Sequence, residues 1–586
     1  MITDDIRQIL HSAIQSAQSS GELPDGLDAE AMSIDPPKNS DFGDFATNLA
    51  LIIQKQAGKP SREIANIISS HIPVGDALVD RVEIAGPGFI NFHLSPLWLK
   101  KVMERIEFED ACYGTNTSRK GEKTLIEFVS ANPTGPISVV NGRAAALGDT
   151  LARLLSACGA DVEREFYVND ALNSTQINLM GESLEMRYKQ LLGHEIDFPE
   201  NTGDKPEGVY SGKPCHCGEY HQFPKEGYRG EYLVEIAQSL VDEMGESLEA
   251  MGEEERLTKF RELAATRMID QQKKDLKAFG VEFNTWFFES SLYDSGEVRK
   301  TIQAMKDRGV AYEKDGALWL KTTELSKDEQ DRVLVRSNDR ETYVAADAAY
   351  HKNKFDRGFT RLIDIWGADH HGYVQRLKAG VAALGYDSEK CEIILTQMIL
   401  LMRGGEVVRG SKRAGDVIPL VDLVNEIGID AARFYCMLNS YETTATFDLE
   451  LAKKQSSDNP VFYAQYAHAR CCSIRTAAVT KGVTPVAAEK IDAKLLANER
   501  EVALLRKLAE YPKEVQLAAE HVAPHRLTGF VREIGQALHQ FYEECPALKD
   551  DVPADVRDAR LAVFNATRIV VRNLLALLGV SAPEKM

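Results

Sequence analysis

The sequence predicts a multidomain α/β protein: a doubly wound parallel sheet with a helical insert, an α+β segment before it and an all-α bundle after it. Three observations carry this reading. A chain of 586 residues is too long for one hydrophobic core. Through its middle, short apolar strands alternate with amphipathic helices, the pattern of right-handed parallel βαβ units. From about residue 456 the composition turns to Ala, Leu, Arg and Glu at helical spacing.

The first segment, 1–118, mixes helices with a glycine-punctuated strand at "VEIAGPGFINFHL". The polar run "ACYGTNTSRKGEK" then marks a boundary. The central domain, 119–455, opens with strand "TLIEFV", helix "GRAAALGDTLARLLSACG" and strand "DVEREFYVND". Its second half supplies the strands "LIDIWG" and "EIILTQMILLM" around the helix "VQRLKAGVAALG". Two halves separated in sequence imply an insert, placed at about 184–289. "AYEKDGALWL" predicts a hairpin with Asp315-Gly316 as its turn. The bundle occupies 456–586, and no internal repeat or low-complexity tract interrupts the chain.

Composition narrows the class. Hydrophobic content of 44% and charged content of 27% suit a soluble globular protein. "MITDDIRQIL" has no secretory pattern, and no apolar run approaches the about 18 residues of a membrane span. Nine cysteines, an odd number, point to a reducing cytoplasm and not to a disulfide framework. The net charge of −20 argues mildly against a nucleic-acid partner, although a local basic face can coexist with it.

Four motifs carry candidate chemistry. In "IEFVSANPTGPISVVNGRAAALGD", Pro133 and Pro136 stiffen a strand-to-helix loop, and Gly135 allows backbone shapes closed to other residues. Ser138 and Asn141 sit at the helix start, where free N–H groups favour an anion. An ordinary capped turn and a nucleotide site both fit this loop. In "GEVVRGSKRAGDVIPLVDLV", Lys412 lies on a glycine-bearing cationic loop able to meet a triphosphate, or to remain a solvated turn. "DIWGADHHGYVQRLKAG" places Asp369, His370 and His371 after a strand end, where such folds bind ligands. A structural helix-cap role fits these residues equally. "CHCGEYH" offers Cys215, Cys217 and His221, but a structural zinc site wants four well-spaced ligands, so no protein-bound metal is expected.

Taken in order, "EFVSANPTGP", "REFYVND", "AADAAYHKNKFDRGF", "WGADHHGYVQRLKA", "SKRAGDVIPLVDLVNEIGIDAARF", "DNPVFYAQYAHAR" and "LGVSAPEKM" resemble the class I aminoacyl-tRNA synthetases, specifically the arginyl-tRNA synthetases. The resemblance covers nearly the whole chain apart from the "CHCGEYH" loop. It implies a Rossmann-like catalytic domain with a mobile loop at 405–416, an N-terminal domain on the tRNA elbow and a C-terminal anticodon-binding bundle. It also implies a cytoplasmic monomer that uses ATP with Mg2+, L-arginine and arginine tRNA, with no membrane partner. The reaction passes through arginyl-adenylate, releasing pyrophosphate and then AMP.

By motif position, the resemblance assigns Glu127, Ser130 and Asn132 to the α-amino and carboxylate ends of arginine. Tyr343, Asp347 and Gln375 fall to its guanidinium. Pro133, Gly135, Gly142, Gly367, Asp369, His371, Ser411 and Lys412 fall to ATP, with Lys412, Ser138 and Asn141 as the catalytic groups. Arg470, Arg475, Arg560, Arg568 and Arg572, with Tyr463 and Tyr466, are candidates for RNA. The chain carries Ser138, Val139, Val140 and Asn141 where class I enzymes usually carry His-x-Gly-His, and "RGSKR" in place of Lys-Met-Ser-Lys. The expectation is that Ser138 and Asn141 replace the histidine hydrogen bonds to the phosphates. The alternative is a catalytically silent tRNA-binding paralogue. A class I ligase for another amino acid fits less well, because Asp347 and Tyr343 suit a cationic substrate.

Overall fold

The computed structural model describes residues 2–37, 39, 42–75, 78–170, 174–198, 221–408 and 418–586. Ser411 and Lys412, and Cys215 and Cys217 of the "CHCGEYH" loop, where no metal is expected, lie outside the described residues.

The central sheet has five parallel strands: β1 (Lys123–Glu127), β2 (Asp161–Val168), β3 (Thr285–Phe288), β4 (Arg361–Gly367) and β5 (Cys391–Thr396). Their order is β5-β4-β1-β2-β3. The chain runs outward from β1 to β3, then returns to β4 on the other side of β1. That reversal opens a crevice at the carboxyl ends of β1 and β4. The sheet is buried on both faces, so Leu125, Ile126, Leu362 and Ile363 are all fully enclosed.

Three helices frame the crevice: α1 (Val139–Ala157), α2 (Tyr343–Asp356) and α3 (Val374–Ala383). Helix α1 connects β1 to β2, and its small residues serve close packing. A Cβ on Gly148 would lie 2.2 Å from the Phe128 ring. The Asp315-Gly316 hairpin forms as predicted, with φ of 52° and 73° at the two turn residues.

Two expectations change. "VEIAGPGFINFHL" is not one strand but the hairpin Val79–Ala85 and Phe89–Leu94, because Gly86 and Gly88 adopt positive φ and turn the chain. "EIILTQMILLM" breaks after β5, and Ile399–Arg403 joins a separate sheet beside Ala445–Asp448. The break is fixed by the buried Arg143 of α1, which donates to the carbonyls of Gln397, Ser440 and Thr443, each at 2.8 Å.

The insert is helical, with Thr175–Leu191, Glu231–Met244 and Glu253–Ala278 around their own core. The C-terminal region packs Pro460–Thr480, Glu499–Glu520, His525–Glu544 and Ala554–Leu577 as a bundle. Helix Leu97–Glu109 lies against this bundle, with the Asn573 side chain donating to the Tyr113 carbonyl just beyond it.

Candidate active site

The crevice begins where β1 ends. After Glu127 the chain turns sharply, with Val129 at φ 70° and Ser130 at φ 38°. A β-branched residue in the left-handed region is strained, at a cost of about 1–3 kcal/mol, and such strain clusters at ligand sites. Side chains hold the turn: Ser130 Oγ donates to Glu127 Oε1 at 2.9 Å and accepts the Tyr167 N–H at 3.1 Å. The other Glu127 oxygen accepts from Lys354 Nζ at 2.6 Å.

The loop 131–137 is then clamped by the insert. Gln272 donates to the carbonyls of Asn132 and Gly135, and the Tyr232 hydroxyl donates to the Thr134 carbonyl. Asp275 accepts the Ile137 N–H at 3.1 Å. Sequence reasoning missed these three residues because they lie about 100 or more positions from their partners, with no local signal. Pro133 is buried in this loop, Gly135 half-buried, and Asn132 exposed with its amide donating to Gln176 Oε1 at 2.7 Å.

At the start of α1, Ser138 and Asn141 meet each other. Ser138 Oγ donates to Asn141 Oδ1 at 2.7 Å, and the Asn141 N–H returns to Ser138 Oγ at 3.3 Å, forming a capping box. Ser138 is buried, and Val139 donates to the Ile418 carbonyl. Gly142 donates to the Ser138 carbonyl and faces Leu420, which would lie 2.6 Å from an added Cβ. The Val140 N–H is thus the one first-turn donor without a partner among the described residues.

At the end of β4, Gly367 allows the Asp369 carboxylate to fold back, since a Cβ there would lie 2.5 Å from Asp369 Oδ1. Asp369 and His371 are exposed at the mouth of the crevice. On α3, Gln375 is half-buried and its oxygen accepts the Lys327 N–H at 3.2 Å.

Beside β1 and β4 lies a cluster of buried charges. Lys354, fully buried, bridges Glu127 and Asp364 at 2.6 and 2.8 Å. His351 contacts Asp364 Oδ2 at 2.7 Å and the Asp347 carbonyl at 2.8 Å. Lys354 and His351 hold the Asp364 carboxyl well below the usual range against the opposing effect of burial. His351, Asp364 and Cys391 are the one cluster of metal-ligating groups among the described residues, and the Lys354 ammonium already neutralises it.

Asp347 itself is half-buried, and the Tyr373 hydroxyl donates to it. Burial raises its carboxyl above the ordinary range, and the Tyr373 hydrogen bond, His351 and Lys354 offset this only in part. Near it stands Glu289, 2% exposed, with one buried oxygen lacking any hydrogen-bond partner. Burial, then Asp347 and Asp170, push Glu289 up to about 7. Tyr167 and Tyr293 stand beside this carboxylate pair, while Tyr343, near Tyr293, is exposed. No Lys or Arg forms an ion pair with either carboxylate among the described residues. Glu289 follows β3, far from the other motifs in sequence, and nothing local in the sequence marks it.

The RNA candidates separate. Arg560 is held by Glu501 at 2.9 Å, and Tyr463 packs against Gly535. Arg470 lies over the Tyr466 and Tyr542 rings at 4.7 and 4.1 Å. Arg475, Arg568 and Arg572 are close enough that the first and last depress the ionisation of Arg568, after burial. His221 of the "CHCGEYH" loop is buried with its ring 5.2 Å from that of His194.

Comparison with known proteins covers the chain from end to end. Residues 2–94 match the family "Arginyl tRNA synthetase N terminal domain", 103–471 the family "tRNA synthetases class I (R), catalytic domain", and 464–586 the family "DALR anticodon binding domain". The chain is 44% identical to the arginine–tRNA ligase of Carboxydothermus hydrogenoformans, over 99% of this chain and 98% of that one. It is 42% identical to that of Syntrophotalea carbinolica, over 99% of each. Among solved structures it superposes on the arginyl-tRNA synthetase of Thermus thermophilus with a TM-score of 0.69 at 20% identity, covering 99% of this chain and all of that one. At that identity the likeness shows the fold.

Proposed function

The chain belongs to the arginyl-tRNA synthetase family, and on that footing we propose that it ligates L-arginine to arginine tRNA in an ATP-dependent reaction through arginyl-adenylate. The observation that carries the amino-acid side is the pair Asp347 and Glu289, flanked by Tyr167 and Tyr293 and without a cation in ion-pair contact among the described residues. A guanidinium offers five donors in a planar fork and suits two carboxylates, whereas a lysine ammonium is a more strongly hydrated point charge. Tyr343 and Gln375 complete this end of the pocket. Ser130 and Asn132, with Glu127 behind them, receive the α-amino and carboxylate groups.

ATP enters as its Mg2+ complex along the carboxyl ends of β1 and β4. Its adenosine rests near Gly367, Asp369 and His371, and its phosphates near Pro133, Gly135, Gly142, Ser411 and Lys412. The arginine carboxylate attacks the α-phosphate and pyrophosphate leaves. The Val140 N–H, the Asn141 amide N–H2 and Lys412 meet the growing negative charge, while Ser138 holds Asn141 in place. The terminal adenosine of the tRNA then takes the arginyl group. The protein acts as a cytoplasmic monomer.

Charging of total tRNA with labelled arginine tests the reaction. ATP-dependent incorporation of arginine and of no other amino acid is expected; tRNA binding without charging would instead mark a silent paralogue. No observation favours that second reading.

A further inference from the structure

His351 lies outside every step above, yet its surroundings restrict it severely. It is 3% exposed on α2, one turn after Asp347 and one turn before Lys354. Nδ1 lies 2.8 Å from the Asp347 backbone carbonyl, and Nε2 lies 2.7 Å from Asp364 Oδ2. A carbonyl oxygen only accepts hydrogen bonds. An ionised carboxylate also only accepts, and Asp364 is kept ionised by Lys354 Nζ at 2.8 Å on its other oxygen. Both ring nitrogens therefore carry protons. Either neutral tautomer would set a lone pair against an oxygen at hydrogen-bond distance, in a site closed to water.

We propose that His351 is held permanently as an imidazolium and that, with Lys354, it keeps the Asp347 carboxylate charged, making His351 a positioning residue for the cationic substrate. The inference rests on the arginine reading of the pocket. Its electrostatic logic is local. Glu127 and Asp364 are balanced by Lys354 and His351. Nearby, Glu165 is separately matched by Arg357, at 2.6 Å. The carboxylates left without an ion-pair partner among the described residues include Asp170, which is held instead by the N–H and hydroxyl of Ser290, and Asp347 and Glu289, which the incoming guanidinium completes. With residue 351 neutral, that pair would face one uncompensated negative charge more, and burial would favour protonating one of its members.

The groups facing Asp347 are few enough to name. Tyr373 donates to it from the segment before α3, with Arg376 beyond; His351 and Lys354 follow on α2; Asp364 lies on β4. Tyr293 and Glu289 complete the set from the segment after β3, with Tyr167 from β2 and the exposed Tyr343 beside Tyr293. Of these, His351 is the cation attached to the Asp347 backbone itself.

The test has two arms. In the wild-type protein labelled with 15N-histidine, H351Q identifies the ring by the signals it removes. The expected signals are those of an imidazolium that persists at pH 8.5, where ordinary histidines are neutral; a neutral tautomer there overturns the proposal. In the second arm, kcat/KM for arginine in tRNA charging is followed with pH for wild type, H351Q and H351N. The acidic limb of either folded variant should move up by at least one pH unit, with the high-pH plateau within threefold of wild type. A lowered plateau with an unmoved limb marks a purely structural histidine and overturns the proposal. Absence of arginine charging by the wild type would count against the functional reading alone, since the spectroscopic arm does not depend on it.

Discussion

The two sides of the crevice are built from opposite materials. The proposed amino-acid side, between α2 and the ends of β1 and β4, is an array of buried ions in which Lys354, His351, Glu127 and Asp364 hold one another. The proposed nucleotide side, at the start of α1, has short neutral side chains that satisfy each other, Ser138 with Asn141. Charges fixed in a low-dielectric interior define a charge-specific pocket, because a mismatched ligand leaves an ion unpaired. Neutral caps define a shape and leave charge stabilisation to backbone donors and to a lysine on a separate loop. On the proposed reading, substitutions in the family's usual histidine signature are tolerated on the side that works mainly by shape, and the amino-acid side has no such latitude.

Four perturbations sharpen this contrast, in falling order of effect. Asp347→Asn removes half of the guanidinium's partner pair in a desolvated site. Loss of a buried charge partner costs about 2–5 kcal/mol, so kcat/KM for arginine should fall by about thirtyfold to several thousandfold. Unchanged KM for ATP in the same pyrophosphate-exchange assay would localise the defect.

Lys412→Ala comes next. Removing a donor to transition-state charge costs about a hundredfold to a thousandfold in rate. Arginine activation should drop by that factor, with tRNA affinity from filter binding unchanged. Equal loss of both would place Lys412 on the RNA and not on the phosphates.

The third concerns protons. Glu289 is pushed up to about 7, above its ordinary value, so in the empty pocket it is largely protonated below that pH. A guanidinium favours the ionised form, so binding at pH 6 must release a proton, and affinity must fall as pH drops through 7. Calorimetry of arginine binding in buffers of different ionisation enthalpy should show proton release at pH 6 that fades above pH 8. Glu289→Gln should abolish it.

The smallest effect is expected from Ser138→Ala. As a helix cap, its loss should cost about 0.5–2 kcal/mol of stability by thermal or denaturant unfolding. Activation should fall modestly, through a less constrained Asn141.

How far the sequence reveals this site depends on the distance over which each contact acts. The sheet, the helical insert and the bundle follow from hydrophobic periodicity, which is local. Gly367 and Asp369 lie in one contiguous phrase, and their mutual packing is legible as a small-residue turn. Asp347, His351 and Lys354 were legible in principle too. They are polar residues at helical spacing in the alanine-rich "VAADAAYHKNKF", so they share a face of α2. Glu289 and the clamp of Tyr232, Gln272 and Asp275 were not, because only the assembled sheet, through β3, and the folded insert bring them to the crevice. Ser138 and Asn141 show the reverse case. Their positions suggested phosphate ligands, but three-residue spacing at a helix start is also the capping-box pattern, and the structure realises that pattern.

The contrast between the two sides is tested most directly by measuring kcat/KM for arginine in tRNA charging with Asp347→Asn and Ser138→Ala side by side. The account predicts that Ser138→Ala stays within about tenfold of the parent while Asp347→Asn falls by about thirtyfold or more. Equal losses in the two variants, or a collapse of Ser138→Ala with Asp347→Asn spared, would contradict it.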